Sequence, residues 1–294
     1  MQDEGPFISH LIQAAIPSPS FEGKIVVESI GGGSINHTYR IRTDHQHQFC
    51  CKTNNRSRFP GLFESERNGL KLLSDVGAIK TPEIISCGVE GEIQFLILEW
   101  IEPGTRNNKF WRLFGEKLAR QHQVNNRFFG LKEDNYMGAL PQSNHPNENW
   151  TNFYISERLS PQIRLAADNR MLTQSHVAQF ENLFNSLPDI FSDERPSLVH
   201  GDLWNGNFIC DKNGLPVLID PAVYFGHRMV DIAMTRLFGG FDNEFYKAYQ
   251  YQFPIVGNEV EQTRICQLYP LLIHLNLFGK SYLDDISRIL DNFS

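Results

Sequence analysis

The sequence has no disulfide framework. Its five cysteines (Cys50, Cys51, Cys87, Cys210, Cys266) are odd in number, irregularly spaced and form no CxxC pair. That excludes a stapled secreted scaffold and a zinc ribbon, and makes a reducing, cytoplasmic setting the expectation. Long hydrophobic runs are missing too: the most apolar late stretch, Leu268 to Phe278, is short and carries His274 and Asn276. The opening Met-Gln-Asp-Glu-Gly-Pro has neither a basic region nor an apolar core of signal type. Neither secretion nor membrane insertion is therefore expected. Positive charge is scarce, with 27 Lys+Arg against 34 Asp+Glu and a formal net charge of −7, which argues against nucleic acid as a partner. Internal repeats and low-complexity tracts are absent.

What is present suffices for a full core, since 41% of the 294 residues are hydrophobic and 12% aromatic. From Lys24 to about Trp100 the chain reads as short β-type runs: Ile25 to Ile30, Thr38 to Arg42, Gln48 to Lys52, Glu83 to Val89 and Ile93 to Glu99. One helical interval separates the third run from the fourth. It opens near Pro60, shows an apolar face at Phe63, Leu70 and Leu73, and ends at Gly77. After the turn signal Glu102-Pro103-Gly104 the periodicity is mainly helical, through Phe110 to His122, Val177 to Leu187, Asp231 to Phe238, Glu244 to Tyr251 and Glu259 to Phe278. The exception is Asn207 to Asp220, where two β-like runs, Phe208 to Cys210 and Pro216 to Asp220, flank an Asn-Gly turn at Asn213-Gly214. The expected class is α+β, with a small β-rich lobe over residues 1–102 and a larger helical lobe over 103–294.

The densest polar cluster is His200-Gly201-Asp202-Leu203-Trp204-Asn205-Gly206-Asn207, followed by Ile219-Asp220-Pro221. A hairpin that folds Asp220 back beside Asn207 assembles an acid, an amide and a second acid. Phosphoryl transfer needs that set: a carboxylate for the attacking hydroxyl, here Asp202, and Asn207 with Asp220 to hold Mg²⁺ on nucleotide phosphates. Alone, His-Gly-Asp is also what a capped turn looks like. The small lobe adds donors for the phosphates, in Gly31-Gly32-Gly33-Ser34-Ile35-Asn36 between two strands and Lys52 ending a third. A glycine triplet is equally a flexible turn; the order along the chain supplies the specificity. Lys52 needs a carboxylate partner, and Glu64 and Glu66, two apart, cannot share a helix face. Glu66, between Phe63 and Leu70, is the inward one. Glu99, Trp100 and Ile101, at the lobe junction, are expected to offer backbone hydrogen bonds to adenine. Asp231, at a helix start, is read as a brace or cap.

These residues, in this order, resemble the aminoglycoside-phosphotransferase and protein-kinase-like fold. More narrowly, GGGSIN, HGDLWNGN, IDPAVYFGHR and LLIHLNLFG resemble the fructosamine kinase family, as do FGLKEDNYMGALPQ and NWTNFYISERLSPQIRLA. The resemblance runs from about residue 25 to 284. It implies a bilobal fold and ATP- and Mg²⁺-dependent phosphorylation of the 3-hydroxyl of a ketosamine, free or on a protein lysine, after which the adduct breaks down. Asp202 would be the base, Asn207 and Asp220 the metal ligands, and Lys52 with Glu66 the phosphate clamp beneath the glycine loop. Trp204 would be a sugar-stacking wall, or else a core aromatic, and His200, Tyr224 and His274 further substrate-side positions. Two departures stand out. Some relatives carry a cysteine in the glycine loop where this chain has Ser34, so no redox switch is expected there, and Met229 stands where many have an acid, so no contact to the substrate amine is expected. Monomer and homodimer remain equally open. A kinase for another small alcohol (choline, a sugar, an aminoglycoside) and a nucleotide-binding module without turnover are the competing readings.

Other signals carry less. Gly279-Lys280-Ser281 lacks the first glycine and the preceding strand of a P-loop, and His45 and His47 beside Cys50 and Cys51 lack two ligand pairs. Adjacent Cys50 and Cys51 should point to opposite sheet faces. The missing βαβ pattern excludes a dinucleotide fold.

Overall fold

The structure, a computed structural model, describes residues 5–15, 25–31, 35–44 and 47–293. It begins with a helix the sequence reading missed, α1 (Gly5–Ala15). Five antiparallel strands follow: β1 (Ile25–Ile30), β2 (His37–Thr43), β3 (Gln48–Asn55), and, after helix α2 (Leu62–Val76), β4 (Ile84–Glu90) and β5 (Ile93–Glu99). Their order in the sheet is β1-β2-β3-β5-β4. Because successive side chains alternate, the sheet has two apolar faces. Cys51 and Ile97 face one way, onto Ile8, Leu11 and Ile12 of α1, while Cys50, Leu96 and Leu98 face the other, onto Phe63 and Leu70 of α2. The opposed orientation expected of Cys50 and Cys51 is thus observed. Helix α2 ends at Gly77, whose left-handed φ of 66° lets its N–H reach the Leu73 carbonyl.

The rest is helical around one large core. Helix α3 (Phe110–His122) packs against a late helix, α8 (Asn243–Gln252), and the small hairpin β6 (Asn135–Met137) and β7 (Leu140–Gln142) precedes α4 (Trp150–Phe153). A π-helical turn over Tyr154–Leu159 leads into α5 (Ser160–Asp168), then α6 (Gln174–Ile190). Strands β8 (Ser197–Val199), β9 (Phe208–Cys210), β10 (Pro216–Leu218) and β11 (Tyr224–Gly226) form two pairs, β9 with β10 and β8 with β11. Helices α7 (Met229–Leu237), α8 (Asn243–Gln252), α9 (Glu259–Phe278) and α10 (Leu283–Leu290) complete the fold. The Asn-Gly turn closes the β9–β10 hairpin as expected, with Asp211 Oδ1 accepting the Asn213 and Leu215 amides. Two expectations fail locally. The third strand does not end at Lys52 but runs on to Asn55, and the β10 run stops at Leu218, because Asp220 has a φ of 54° that no strand permits.

His227, buried between Trp150 and Phe191, gives a pH test of this core. Burial, opposed by Glu194 and reinforced by Arg228, pushes its pKa down to about 4. An unfolded histidine titrates near 6.5, so between about pH 6.5 and 4 the unfolded chain binds the extra proton. Stability contributed here is complete above that window and is lost as pH falls through it. We expect His227→Phe to reduce the loss of unfolding free energy between pH 7 and 4.5 by about 2–3 kcal/mol relative to the parent, measured by urea denaturation at each pH. Superimposable pH profiles would refute it.

Among the described residues no helix is long and apolar enough to cross a membrane, and Cys50, Cys51, Cys87, Cys210 and Cys266 are all free.

Candidate active site

The loop that carries Asp202 lies between β8 and β9, and its shape is set from below. Asp231, in the first turn of α7, is buried and accepts the amides of His200 (2.7 Å) and Gly201 (2.9 Å). It also faces His122 Nε2 at 3.0 Å, whose other ring nitrogen meets the Tyr249 hydroxyl at 2.8 Å. Burial alone would raise the Asp231 pKa, but these hydrogen bonds and the two histidines hold it below the usual carboxylate range. Asp231 is therefore a brace rather than a cap, and His122 and Tyr249 are partners the sequence did not announce. Gly201 is required at the bend: its φ is 84°, and a Cβ there would lie 2.1 Å from the Ala222 carbonyl oxygen.

This bracing presents Asp202 at the cleft floor. Asn207 Nδ2 donates to the Asp202 main-chain carbonyl (2.8 Å) and to its Oδ2 (2.7 Å), which fixes the carboxylate's orientation. Burial, with the nearby charges of Asp220 and Asp231, pushes the Asp202 pKa up to about 7 despite the Asn207 bond. A carboxyl tuned there can take a proton from an alcohol near neutral pH and release it again. The Ile219 amide bonds to the Asn207 carbonyl at 3.1 Å, so the β9–β10 hairpin does return Asp220 to Asn207. With the Asn207 amide hydrogens directed at Asp202, its side-chain oxygen has no protein partner among the described residues. Asp220 is 44% exposed and engages Lys52 through Oδ1. Two oxygen donors of this kind fit a hard cation that takes its remaining ligands from phosphates and water. Among the described residues no cluster of three His, Cys, Asp or Glu side chains offers an all-protein cage.

Lys52 crosses from β3 into the cleft and is bound by both acids, Glu66 at 2.6 Å and Asp220. Burial would lower its pKa; Asp220 and Glu66 outweigh that and hold it above the usual lysine range, so the ammonium stays charged. Glu64, by contrast, is exposed. Gly31 lines the cleft beside Lys52, and Ile35 and Asn36 lie at the far end of the glycine loop, held by Asn54 Nδ2, which bonds the Ile35 carbonyl at 3.1 Å and Asn36 Oδ1 at 2.6 Å. Gly32, Gly33, Ser34 and His45 lie outside the described residues.

Behind Lys52 a cleft of about 250 Å³ is lined by Ile30, Cys50, Leu98, Ile101 and Ile219 among others, apolar walls of the kind that hold a flat base. The junction is narrower in its offer of donors than expected. The Glu99 amide is already given to Glu83 (2.8 Å) and the Trp100 amide to Gln48 (3.3 Å), leaving that of Ile101 without a protein partner among the described residues. The Trp100 ring is covered by Arg40 at 4.5 Å, and the Glu99 carboxylate pairs with Lys80 at 2.8 Å.

Three of the substrate-side residues are not brought to the cavity. His200 is fully buried, its ring engaged by the Ile219 carbonyl beyond β10 (from Nε2, 2.9 Å) and by the Asp202 amide (to Nδ1, 3.2 Å), and does not reach the cavity. Tyr224 is a core residue on β11 beneath the Arg158 guanidinium, 4.0 Å from its ring. Asp202, two residues from His200, lines the cavity, but loop and strand geometry turn His200 and Tyr224 inward. Trp204 points the other way: it is 37% exposed and lines a cavity of about 190 Å³ with Asp202 and Asn207. His274 is half-buried beyond it, its ring 4.8 Å from Phe238, which in turn meets Trp204 edge-on at 6.1 Å. It does not line that cavity among the described residues. Met229 is buried in the core and faces no substrate. Tyr136 and Gly138 do line the cavity, and sequence reading passed over them because three-residue strands carry almost no periodic signal.

Comparison with known proteins agrees with this geometry. The chain is 39% identical over 284 residues to the "Probable ketoamine kinase" of Enterococcus faecium, covering 96% of this chain and 99% of that one. It is 34% identical over 277 residues to the chloroplastic "Protein-ribulosamine 3-kinase" of Arabidopsis thaliana, covering 91% and 82%. The crystal structure of a "putative fructosamine-3-kinase" from Thermobifida fusca superposes with a TM-score of 0.85 at 28% identity, covering 97% and 98%. An aminoglycoside-3'-phosphotransferase of type VIII, 15% identical over 97% and 100% at a TM-score of 0.52, shares the bilobal kinase-like fold alone. The family described as Fructosamine kinase matches residues 8–294, and the chain belongs to that family.

Proposed function

We propose that the protein transfers the γ-phosphoryl group of ATP to the 3-hydroxyl of a ketosamine, with the small lobe over residues 1–102 covering the nucleotide and the lobe over 103–294 holding the acceptor. The observation that carries this reading is the single cleft in which Asp202, Asn207, Asp220, Lys52 and Glu66 converge. The family's named ketoamine and ribulosamine kinases point to the acceptor class.

In this mechanism the Ile101 amide and the apolar walls around it position adenine, and the Lys52 ammonium, held by Glu66, meets the phosphates. Asn207 and Asp220 would hold Mg²⁺, which neutralises phosphate charge as it shifts toward the leaving ADP. Asp202 orients the acceptor hydroxyl and accepts its proton as the oxygen attacks phosphorus. Catalysis is positioning plus fixed charge, with no covalent enzyme intermediate. A cytoplasmic setting suits free cysteines and glycated metabolites or proteins.

Incubating the protein with MgATP and a panel of alcohols (fructosyl-lysine, ribulosyl-lysine, choline, free sugars, an aminoglycoside) and reading the products by mass spectrometry tests the reading. Phosphorylated ketosamine is the expected product. Transfer to another alcohol alone, or nucleotide binding with no transfer at all, would replace it with one of the competing readings.

A further inference from the structure

The acceptor cavity, about 190 Å³, is lined by the loop that carries Asp202, by the Asp220-Pro221 turn, by α2, by the end of the glycine loop and by the β6–β7 hairpin. Trp204 is the aromatic side chain that the Asp202 loop contributes. The hairpin contributes Tyr136 and Gly138. Strands of three residues do not hold themselves in place, and here buried amides do it for them. Asn135 Nδ2 donates to the Val223 carbonyl at 2.8 Å, and Gln142 Nε2 donates to Asn135 Oδ1 at 2.7 Å and to the Ala222 carbonyl at 3.2 Å. The Tyr269 hydroxyl, from α9, donates to Gln142 Oε1 at 2.9 Å. Ala222 and Val223 follow directly on Asp220-Pro221, so the hairpin is keyed to the backbone that carries Asp220.

Its other edge is fastened to the sheet-bearing half. The Tyr136 hydroxyl donates to the Pro60 carbonyl at 2.9 Å, and Tyr136 and Ala139 pack with Leu62 and Phe63 of α2. At the tip, a Cβ built on Gly138 would sit 3.3 Å from Leu277 and 3.7 Å from Ile35, so the hairpin fills the gap between the end of the glycine loop and α9. A wall fixed on both sides of a small cavity selects its occupant by shape.

We propose that the β6–β7 hairpin is the acceptor-specificity wall of this kinase, with Tyr136 holding the carbon skeleton of a polyhydroxylated, amine-bearing acceptor against Trp204. The inference rests on the functional reading above. Aromatic surface on two sides matches the C–H faces of a sugar and leaves its hydroxyls for Asp202.

The test compares the parent protein, Tyr136→Ala and Tyr136→Phe with fructosyl-lysine and MgATP. Tyr136→Ala is expected to raise the KM for fructosyl-lysine roughly tenfold, the scale of one lost aromatic face, while kcat and the KM for ATP change by less than about threefold. Tyr136→Phe keeps the ring and loses only the bond to Pro60, so its acceptor KM should return to within about threefold of the parent. An unchanged acceptor KM in Tyr136→Ala overturns the proposal, and so does an equal rise in the KM for ATP, which would mean that α2 had loosened instead. If the parent phosphorylates no ketosamine but does phosphorylate another alcohol, the functional reading fails, and the same KM comparison with that alcohol then decides the wall.

Discussion

Asp202→Asn is expected to lower kcat by at least about a hundredfold, the usual scale for a positioned proton acceptor. The substitution keeps the size and planarity of the side chain, so the loop bracing by Asp231 through the His200 and Gly201 amides is untouched. What it removes is the carboxylate proposed to receive the hydroxyl proton. Because Asp202 lines the acceptor cavity and not the cleft behind Lys52, nucleotide affinity should stay within about threefold of the parent, a change of less than ~0.7 kcal/mol. Single-turnover phosphotransfer and equilibrium binding of ADP measure the two quantities separately. Turnover near the parent's rate would remove Asp202 from the mechanism. A parallel loss of ADP binding would show that the loop had collapsed.

Lys52→Met should cost about 3 kcal/mol or more in kcat/KM for ATP, by analogy with deleting one preorganised donor. The physical reason goes beyond the lost cation. Lys52 neutralises two acids, and without it Glu66 and Asp220 would face the triphosphate as unpaired carboxylates, one of them nearly buried. Glu66 would then take up a proton rather than remain charged. The effect should therefore fall mainly on ATP, and the acceptor KM should change less. An unchanged kcat/KM for ATP would refute the clamp.

The sheet and most helices were legible because their periodicities are strong and long. Ile93 to Glu99 and Glu259 to Phe278 were read to the residue, and Gly77 stops α2 for the backbone reason expected. Helix α1 was missed although Ile8, Leu11 and Ile12 sit at helical spacing, since a lone short stripe at a chain end has little context. In the site, Asp202, Asn207, Asp220 and Lys52, which the fold brings to one cleft, could be picked out from their order along the chain. Direction could not. Whether His200 and Tyr224 look outward depends on a loop bend at Gly201 and on the pairing of β8 with β11, both non-local. The same holds for the Glu99 and Trp100 amides, which neighbouring segments consume, and for His122, far from Asp231 in sequence.

The anchoring of α2 has a consequence for control. In many protein kinases the glutamate-bearing helix swings away from the lysine, and that swing is the off position. Here the helix is tied to the helical half at two places, through Tyr136 to Pro60 and through Asn68 to Glu133 at 3.0 Å, besides the apolar contact with β6. Swinging it out would break those ties and open a cavity lined by Leu62 and Tyr136. The seat of Glu66 beside Lys52 therefore depends on contacts from the helical half as well as on packing within the small lobe.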